Sequence, residues 1–162
     1  MGEEPQVRVL FVCSGNICRS PAAVACFRHR VAERGWRGLE ADSAGTLGIA
    51  GQPICADAAR VLREIGIESA GHRSKGVSRA EVRAADWIVA MQREHLDWLA
   101  RRHPGGTGRR VLIRAFERGT DLDADPADLL DPYGQPLEVY RNQIPLIARC
   151  VDHLLAHVHP AP

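Results

Sequence analysis

The segment from Val7 to Glu33 constrains the fold more than any other part of the chain. Val7–Val12 (VRVLFV) is a short, largely apolar and β-branched run, with Arg8 as its one charged position. That pattern predicts a strand buried in a parallel sheet. Pro21–Glu33 follows with helical spacing and is stopped near Gly35; Ser20 stands where an N-cap belongs and Pro21 at the first helical position. Between them lies Cys13–Ser20 (CSGNICRS). A strand, a glycine-containing loop and a helix together make the layout of an anion site.

The rest of the chain repeats the alternation. Leu39–Ser43, Asp86–Met91 and Arg110–Arg114 read as strands. Ala56–Ile65, Ser78–Ala84 and Arg93–Arg102 read as helices. Glu117–Pro136 is a long loop rich in Asp, Pro and Gly, a kind of segment that often carries function. Leu137–Val158 reads as an amphipathic helix, bent or restarted near Pro145. Strands alternating with helices predict an α/β fold, a four-stranded parallel sheet in three layers, doubly wound. One domain spans 1–162, with an ordered core over about 7–158 and loose ends at 1–6 and 159–162.

The loop carries chemistry. Successive backbone N–H groups of Ser14–Arg19 can curl around one phosphate. Gly15 and Asn16 are residue types that accept the positive φ such a curl needs. Cys13, at a helix N-terminus beside an arginine, is in the setting that makes a cysteine a thiolate nucleophile. Arg19 can fork onto two phosphate oxygens, and the Ser20 hydroxyl can reach the Cys13 sulfur. Nucleophile, amide cradle and guanidinium are the parts that phosphoryl transfer uses. No glycine spacing leads into Lys-Ser, which disfavours an ATP-binding loop.

Composition narrows the partners. With 21 basic and 20 acidic residues the chain has formal charge +1, and no basic stripe marks a nucleic-acid binder. No run of about 18 apolar residues suggests a membrane span. The polar N-terminus lacks a signal core, and five cysteines in no framework pattern suit reduced thiols. A cytoplasmic protein, monomeric or weakly dimeric, is expected.

With these residues in view, VLFVCSGNICRSPAAVACF resembles the low-molecular-weight protein tyrosine phosphatase family. DSAGT at Asp42–Thr46, GHRS at Gly71–Ser74, DWIVAM at Asp86–Met91 and DPYG at Asp131–Gly134 line up in order. The resemblance implies Cys13 as nucleophile, Arg19 as phosphate-binding arginine and Asp131 as general acid. Ser14, Gly15, Asn16, Ile17, Cys18, Arg19 and Ser20 would form the phosphate loop, and Asn16, Ser20, Ser43 and His72 the hydrogen-bond network supporting it. Cys18 resembles a second loop cysteine that can form a protective disulfide with the nucleophile. No metal or organic cofactor is implied, and the partner is a phosphorylated protein. The chain departs from the family in three places. Leu47-Gly48-Ile49 replaces an aromatic groove wall, Gln92 stands where Asp is frequent, and Gly134 follows Tyr133. Ile17, Leu47, Ile49 and Tyr133 are then the groove residues.

Other readings carry less. Asp121, Asp123, Asp125 and Asp128 rival Asp131 by type and read as a solvated acidic loop. A calcium loop fails because Pro126 and Pro132 occupy its required Gly and Glu positions. Cys13, Cys18, Cys26 and His29 have tolerable zinc spacing, but Arg19 would face the cation. His153 and His157 read as a solvated helix face, and Trp36, Trp87 and Trp98 as packing residues. Arsenate reduction lacks its relay, since no cysteine lies between Cys55 and Cys150. A phosphoarginine-preferring branch of the family has threonine at the position of Ile17, so Ile17 favours phosphotyrosine, while LDPYG at Leu130–Gly134 is similar to that branch and keeps protein-arginine phosphatase as the alternative.

Overall fold

The computed structural model describes residues 6–159. Four strands, β1 (Val7–Cys13), β2 (Leu39–Gly45), β3 (Trp87–Ala90) and β4 (Arg109–Leu112), form one sheet in the order β2-β1-β3-β4. All three pairings are parallel. The helices are α1 (Arg19–Glu33), α2 (Ala56–Glu64), α3 (Arg79–Ala84), α4 (Arg93–Arg102) and α5 (Leu137–Val158).

β1 shows why the sheet is covered on both sides. Successive side chains of a strand point to opposite faces. Val9, Phe11 and Cys13 join the large cluster with α1, α2 and α5. Leu10 and Val12 join a smaller cluster with Val82 of α3 and Leu99 of α4. The unbroken apolar run is thus the signature of a strand buried on both faces. Phe11 meets Phe27 of α1 edge to face at 6.1 Å, and each ring buried this fully stabilises the fold by roughly 1.5–3 kcal/mol.

Strand order reverses direction at β1, with β2 on one side and β3 on the other. Ligands of open α/β sheets bind at such a switch point, outside the carboxyl ends of the strands. Cys13 ends β1 there, paired in register with Gly45.

Several boundaries differ from expectation. α1 begins at Arg19, with Cys18 at its N-cap, so Ser20 lies inside the first turn. Its hydroxyl is turned to Cys13 instead of capping the helix. β3 is shorter than Asp86–Met91. β4 stops at Leu112 and turns into a 3-10 helix, Ile113–Phe116. α5 runs unbroken through Pro145. Pro145 is exposed while Ile144, Ile147 and Ala148 keep the core face continuous. The carbonyl that loses its partner is that of exposed Arg141, where water can satisfy it. His153 and His157 are half-buried instead of solvated, joined to the carbonyls of Phe116 and Thr120. Of the expected loose ends, Gln6 is exposed, but His159 stacks on Trp36 at 4.0 Å. Residues 1–5 and 160–162 lie outside the described residues. Among the described residues no helix is long and apolar enough to cross a membrane.

Candidate active site

The Cys13 sulfur is buried at the end of β1, and two donors converge on it. The backbone N–H of Asn16 lies 3.2 Å away and Ser20 Oγ 2.9 Å. Ser20 Oγ itself accepts from Asn16 Nδ2 at 2.8 Å, so its own proton is free to point at the sulfur. The sulfur is therefore set to act as an acceptor, as a thiolate would.

Asn16 is the hub of the loop. Its φ of 57° makes it the one non-glycine residue with positive φ among the described residues. A residue held there costs about 1–3 kcal/mol unless its surroundings fix it. They do so at every polar atom of the residue. Nδ2 donates to Ser20 Oγ and Ser43 Oγ, both at 2.8 Å. Oδ1 accepts from the Lys75 backbone N–H at 3.0 Å, and the carbonyl accepts from His72 Nε2 at 2.7 Å. The structure thus gathers Asn16, Ser20, Ser43 and His72. Burial lowers the His72 pKa and favours the neutral ring, whose Nε2–H still donates. The Lys75 amide was not legible beforehand, because a backbone donor has no sequence signature.

Gly15 does not take positive φ, contrary to expectation; Asn16 alone turns the loop. Gly15 keeps space instead. A Cβ there would stand 3.7 Å from Ile17 and 3.8 Å from Ile49, inside the cleft. The close approach that does demand glycine is at Gly45. A Cβ there would lie 2.5 Å from the Ser14 carbonyl and 3.0 Å from the Asn16 nitrogen. Thr46 and Leu47 donate N–H groups to the carbonyls of Cys13 and Ser14, so the end of β2 clamps the loop.

Arg19 is 2% exposed and already aimed. Nη1 donates to Gln92 Oε1 and to the Leu129 carbonyl, both at 2.6 Å. Gln92, which stands where the family often has Asp, thus meets the arginine with a neutral oxygen. Leu129 is anchored in turn, its N–H bonded to the Met91 carbonyl at the end of β3. Asp131 follows two residues later. It is half exposed, with Oδ2 3.8 Å from Arg19 Nη2 and Oδ1 accepting from the Tyr133 N–H. Its rival Asp128 is occupied elsewhere, accepting the Arg93 N–H at the start of α4.

His95 belongs to this group and was missed. It is 1% exposed on α4, with Nδ1 accepting the Gln92 N–H. Nε2 then carries the proton and donates to Ser14 Oγ at 2.8 Å. Burial, and next the positive charge of Arg19, push His95 down to about 4, so the ring is neutral. A residue three positions into a predicted helix after a strand adjacent to β1 was the available signal.

Cys13, Ser14, Gly15, Ile17, Cys18, Arg19, Leu47, Ile49, Asp131 and Tyr133 line a cleft of about 220 Å³. Leu47 and Tyr133 stand at its mouth, 68% and 67% exposed. A larger cavity of about 490 Å³ opens along Arg8, Leu10, Leu39 and Asp42, at the opposite end of β1, and carries no nucleophile. No three His, Cys, Asp or Glu side chains cluster as metal ligands among the described residues. The zinc set is therefore not gathered. Cys26 instead sits in the core of α1, where burial pushes its thiol up to about 12.

Comparison with known proteins agrees with this geometry. The family model described as low molecular weight phosphotyrosine protein phosphatase matches residues 8–161. The chain is 35% identical over 147 residues to a protein-arginine-phosphatase of Geobacillus stearothermophilus, covering 91% of this chain and 93% of that one. It is 39% identical over 129 residues to the low molecular weight protein-tyrosine-phosphatase YfkJ of Bacillus subtilis, covering 78% and 81%. Among solved structures, a low molecular weight protein tyrosine phosphatase from T. tengcongensis superposes with a TM-score of 0.82 at 34% identity. That match covers 93% of this chain and 98% of the other.

Proposed function

The chain belongs to the low molecular weight phosphotyrosine protein phosphatase family, and on that premise we propose that it hydrolyses phosphotyrosine in protein substrates through a phosphocysteine on Cys13. The phosphoryl group sits in the curl of Ser14–Arg19, its oxygens held by backbone N–H groups and by the Arg19 fork. The Cys13 thiolate attacks phosphorus in line with the departing oxygen. The P–O bond breaks with its electron pair on the phenolic oxygen, and Asp131 delivers a proton there. Water then attacks the phosphorus of the phosphocysteine while the Asp131 carboxylate takes its proton. The sulfur leaves as thiolate, and the Asn16 N–H and Ser20 Oγ–H receive it.

One observation carries the substrate class: apart from Asp131, the side walls above the nucleophile are mostly apolar. Ile17, Leu47, Ile49 and Tyr133 line them. An aromatic ring buries favourably there and stacks on Tyr133. A guanidinium would require further acceptors beside Asp131 along the same walls, and Ile17, Leu47 and Ile49 provide none. Phosphoarginine is the second reading, favoured by the likeness to a protein-arginine-phosphatase.

Turnover of matched phosphotyrosine and phosphoarginine peptides separates the two. Higher kcat/KM on phosphotyrosine is expected, and a strong phosphoarginine bias would reverse the assignment.

A further inference from the structure

Cys18 and Cys55 meet from different helices. Cys18 is the N-cap of α1 and Cys55 the N-cap of α2. The Cys55 backbone N–H donates to the Ile17 carbonyl at 2.9 Å, which locks the two helix starts together. Their sulfurs lie 2.8 Å apart, and each also neighbours the buried Tyr140 hydroxyl, at 3.8 and 3.9 Å. The polar contacts of the nucleophile's sulfur lie elsewhere, on Asn16 and Ser20. The sulfur that the ground-state geometry offers to Cys18 is therefore that of Cys55.

We infer that Cys18 and Cys55 form a dithiol site that closes to a disulfide under a hydroperoxide oxidant, leaving Cys13 as a free sulfur.

The two members have complementary roles. Cys55 is half-buried and Cys18 is 5% exposed, so a small oxidant in solution reaches Cys55 first. A cysteine at a helix N-terminus that accepts a hydrogen bond is the more nucleophilic form. The Cys18 thiol donates to Cys55, which brings Cys55 down to about 7, while the same bond and burial push Cys18 up. The other two cysteines outside the catalytic loop lack this setting. Cys26 and Cys150 are buried and held up at about 12 by that burial.

The chemistry balances with a hydroperoxide alone. The Cys55 thiolate attacks the peroxide oxygen. The O–O bond breaks, hydroxide leaves and takes a proton, and Cys55 becomes a sulfenic acid. Cys18 sulfur then attacks the Cys55 sulfur, the S–O bond breaks, and hydroxide leaves and takes the Cys18 proton. Two thiols and one hydrogen peroxide give one disulfide and two waters. Closure shortens the sulfur–sulfur separation by less than about 1 Å, since the S–S bond is about 2.05 Å.

The test uses the full chain in its reduced form. It is treated with one equivalent of hydrogen peroxide, blocked with N-ethylmaleimide under denaturing conditions and digested without reductant. Mass spectrometry of the products is expected to find the Cys55 peptide joined to Cys18, with Cys13 carrying maleimide. Two of the five thiols are lost to labelling, and dithiothreitol restores both. Cys55→Ser loses the linked species while keeping basal turnover of an aryl phosphate. Full maleimide labelling of Cys55, or a bond between Cys13 and Cys18 alone, would overturn the inference. The readout needs no substrate, so it stands apart from the phosphatase reading, which the untreated protein's turnover reports separately.

Discussion

Ser14 Oγ and His95 Nε2 lie 2.8 Å apart across 81 residues of sequence, tying the phosphate loop to the start of α4. The Gln92 N–H on Nδ1 fixes which nitrogen donates. His95 thereby acts as a positioning residue, holding Ser14 at the cleft wall.

Its burial gives a pH signature. His95 is brought down to about 4 from an ordinary value of 6.5, so below pH 6.5 the unfolded chain binds a proton that the folded chain refuses. The stabilisation from a neutral His95 is present above pH 6.5 and is lost as pH falls towards 4. The full loss is of order 3 kcal/mol. Arg19 opposes protonation, while Asp128 and Asp131 favour it. Urea unfolding of wild type and His95→Gln from pH 7.5 to 4.5 is expected to give a stability difference that shrinks with acid. A constant difference would remove His95 from the account.

Asp131→Asn removes the proposed proton donor without disturbing Arg19, whose firm contacts are to Gln92 and Leu129. kcat on phenyl phosphate is expected to fall about 10²–10⁴-fold. With a nitrophenyl leaving group, which needs less protonation, the loss at the first step is expected to be smaller. The measurement is kcat/KM against leaving-group pKa, where the variant's plot becomes steeper.

Gly45→Ala places a methyl group 2.5 Å from the Ser14 carbonyl oxygen and 3.0 Å from the Asn16 nitrogen, both backbone atoms of the loop. The loop has to move, since neither neighbour is a flexible side chain. Competitive inhibition by inorganic phosphate is expected to weaken by about tenfold or more, equivalent to about 1.4 kcal/mol. Circular dichroism is expected to stay that of the wild type.

Asn16→Ala leaves the Lys75 N–H and the Ser43 hydroxyl without their partner and puts alanine at positive φ. A loss of about 1–3 kcal/mol in unfolding free energy is expected from one unsatisfied buried group. Ser43→Ala removes one bond of the hub and is expected to cost about 1 kcal/mol. Urea titration measures both.

The sheet was legible because β1 announces itself twice, by its unbroken apolar run and by the loop it delivers. The gathering of Cys13, Asn16 and Arg19 around one loop was legible because phosphoryl-transfer chemistry, as proposed, requires those residue types at that spacing. Asp131 needed the family likeness, since five aspartates share its loop and only the fold shows Asp128 spent on α4. His95, the Gln92 contact to Arg19 and the Lys75 amide were hidden for another reason. Their partners lie across β3 or β2, and local sequence records no contact between distant elements. Pro145 was misjudged because local propensity favours a break, whereas the continuous apolar face of α5 decides the outcome. The Cys18–Cys55 contact was invisible for the same reason as His95, the two cysteines being 37 positions apart in sequence.

The central claim is that the Cys13 sulfur carries the phosphoryl group. Asp131→Asn allows the most direct measurement, because nitrophenyl phosphate loads the enzyme without a strong acid while the slowed hydrolysis lets the intermediate accumulate. After an alkaline denaturing quench and digestion, one phosphoryl group is expected on the peptide containing Cys13, localised to that sulfur and formed as fast as nitrophenol is released. Turnover retained in Cys13→Ser, or a phosphoryl group found on any other side chain, would contradict the account.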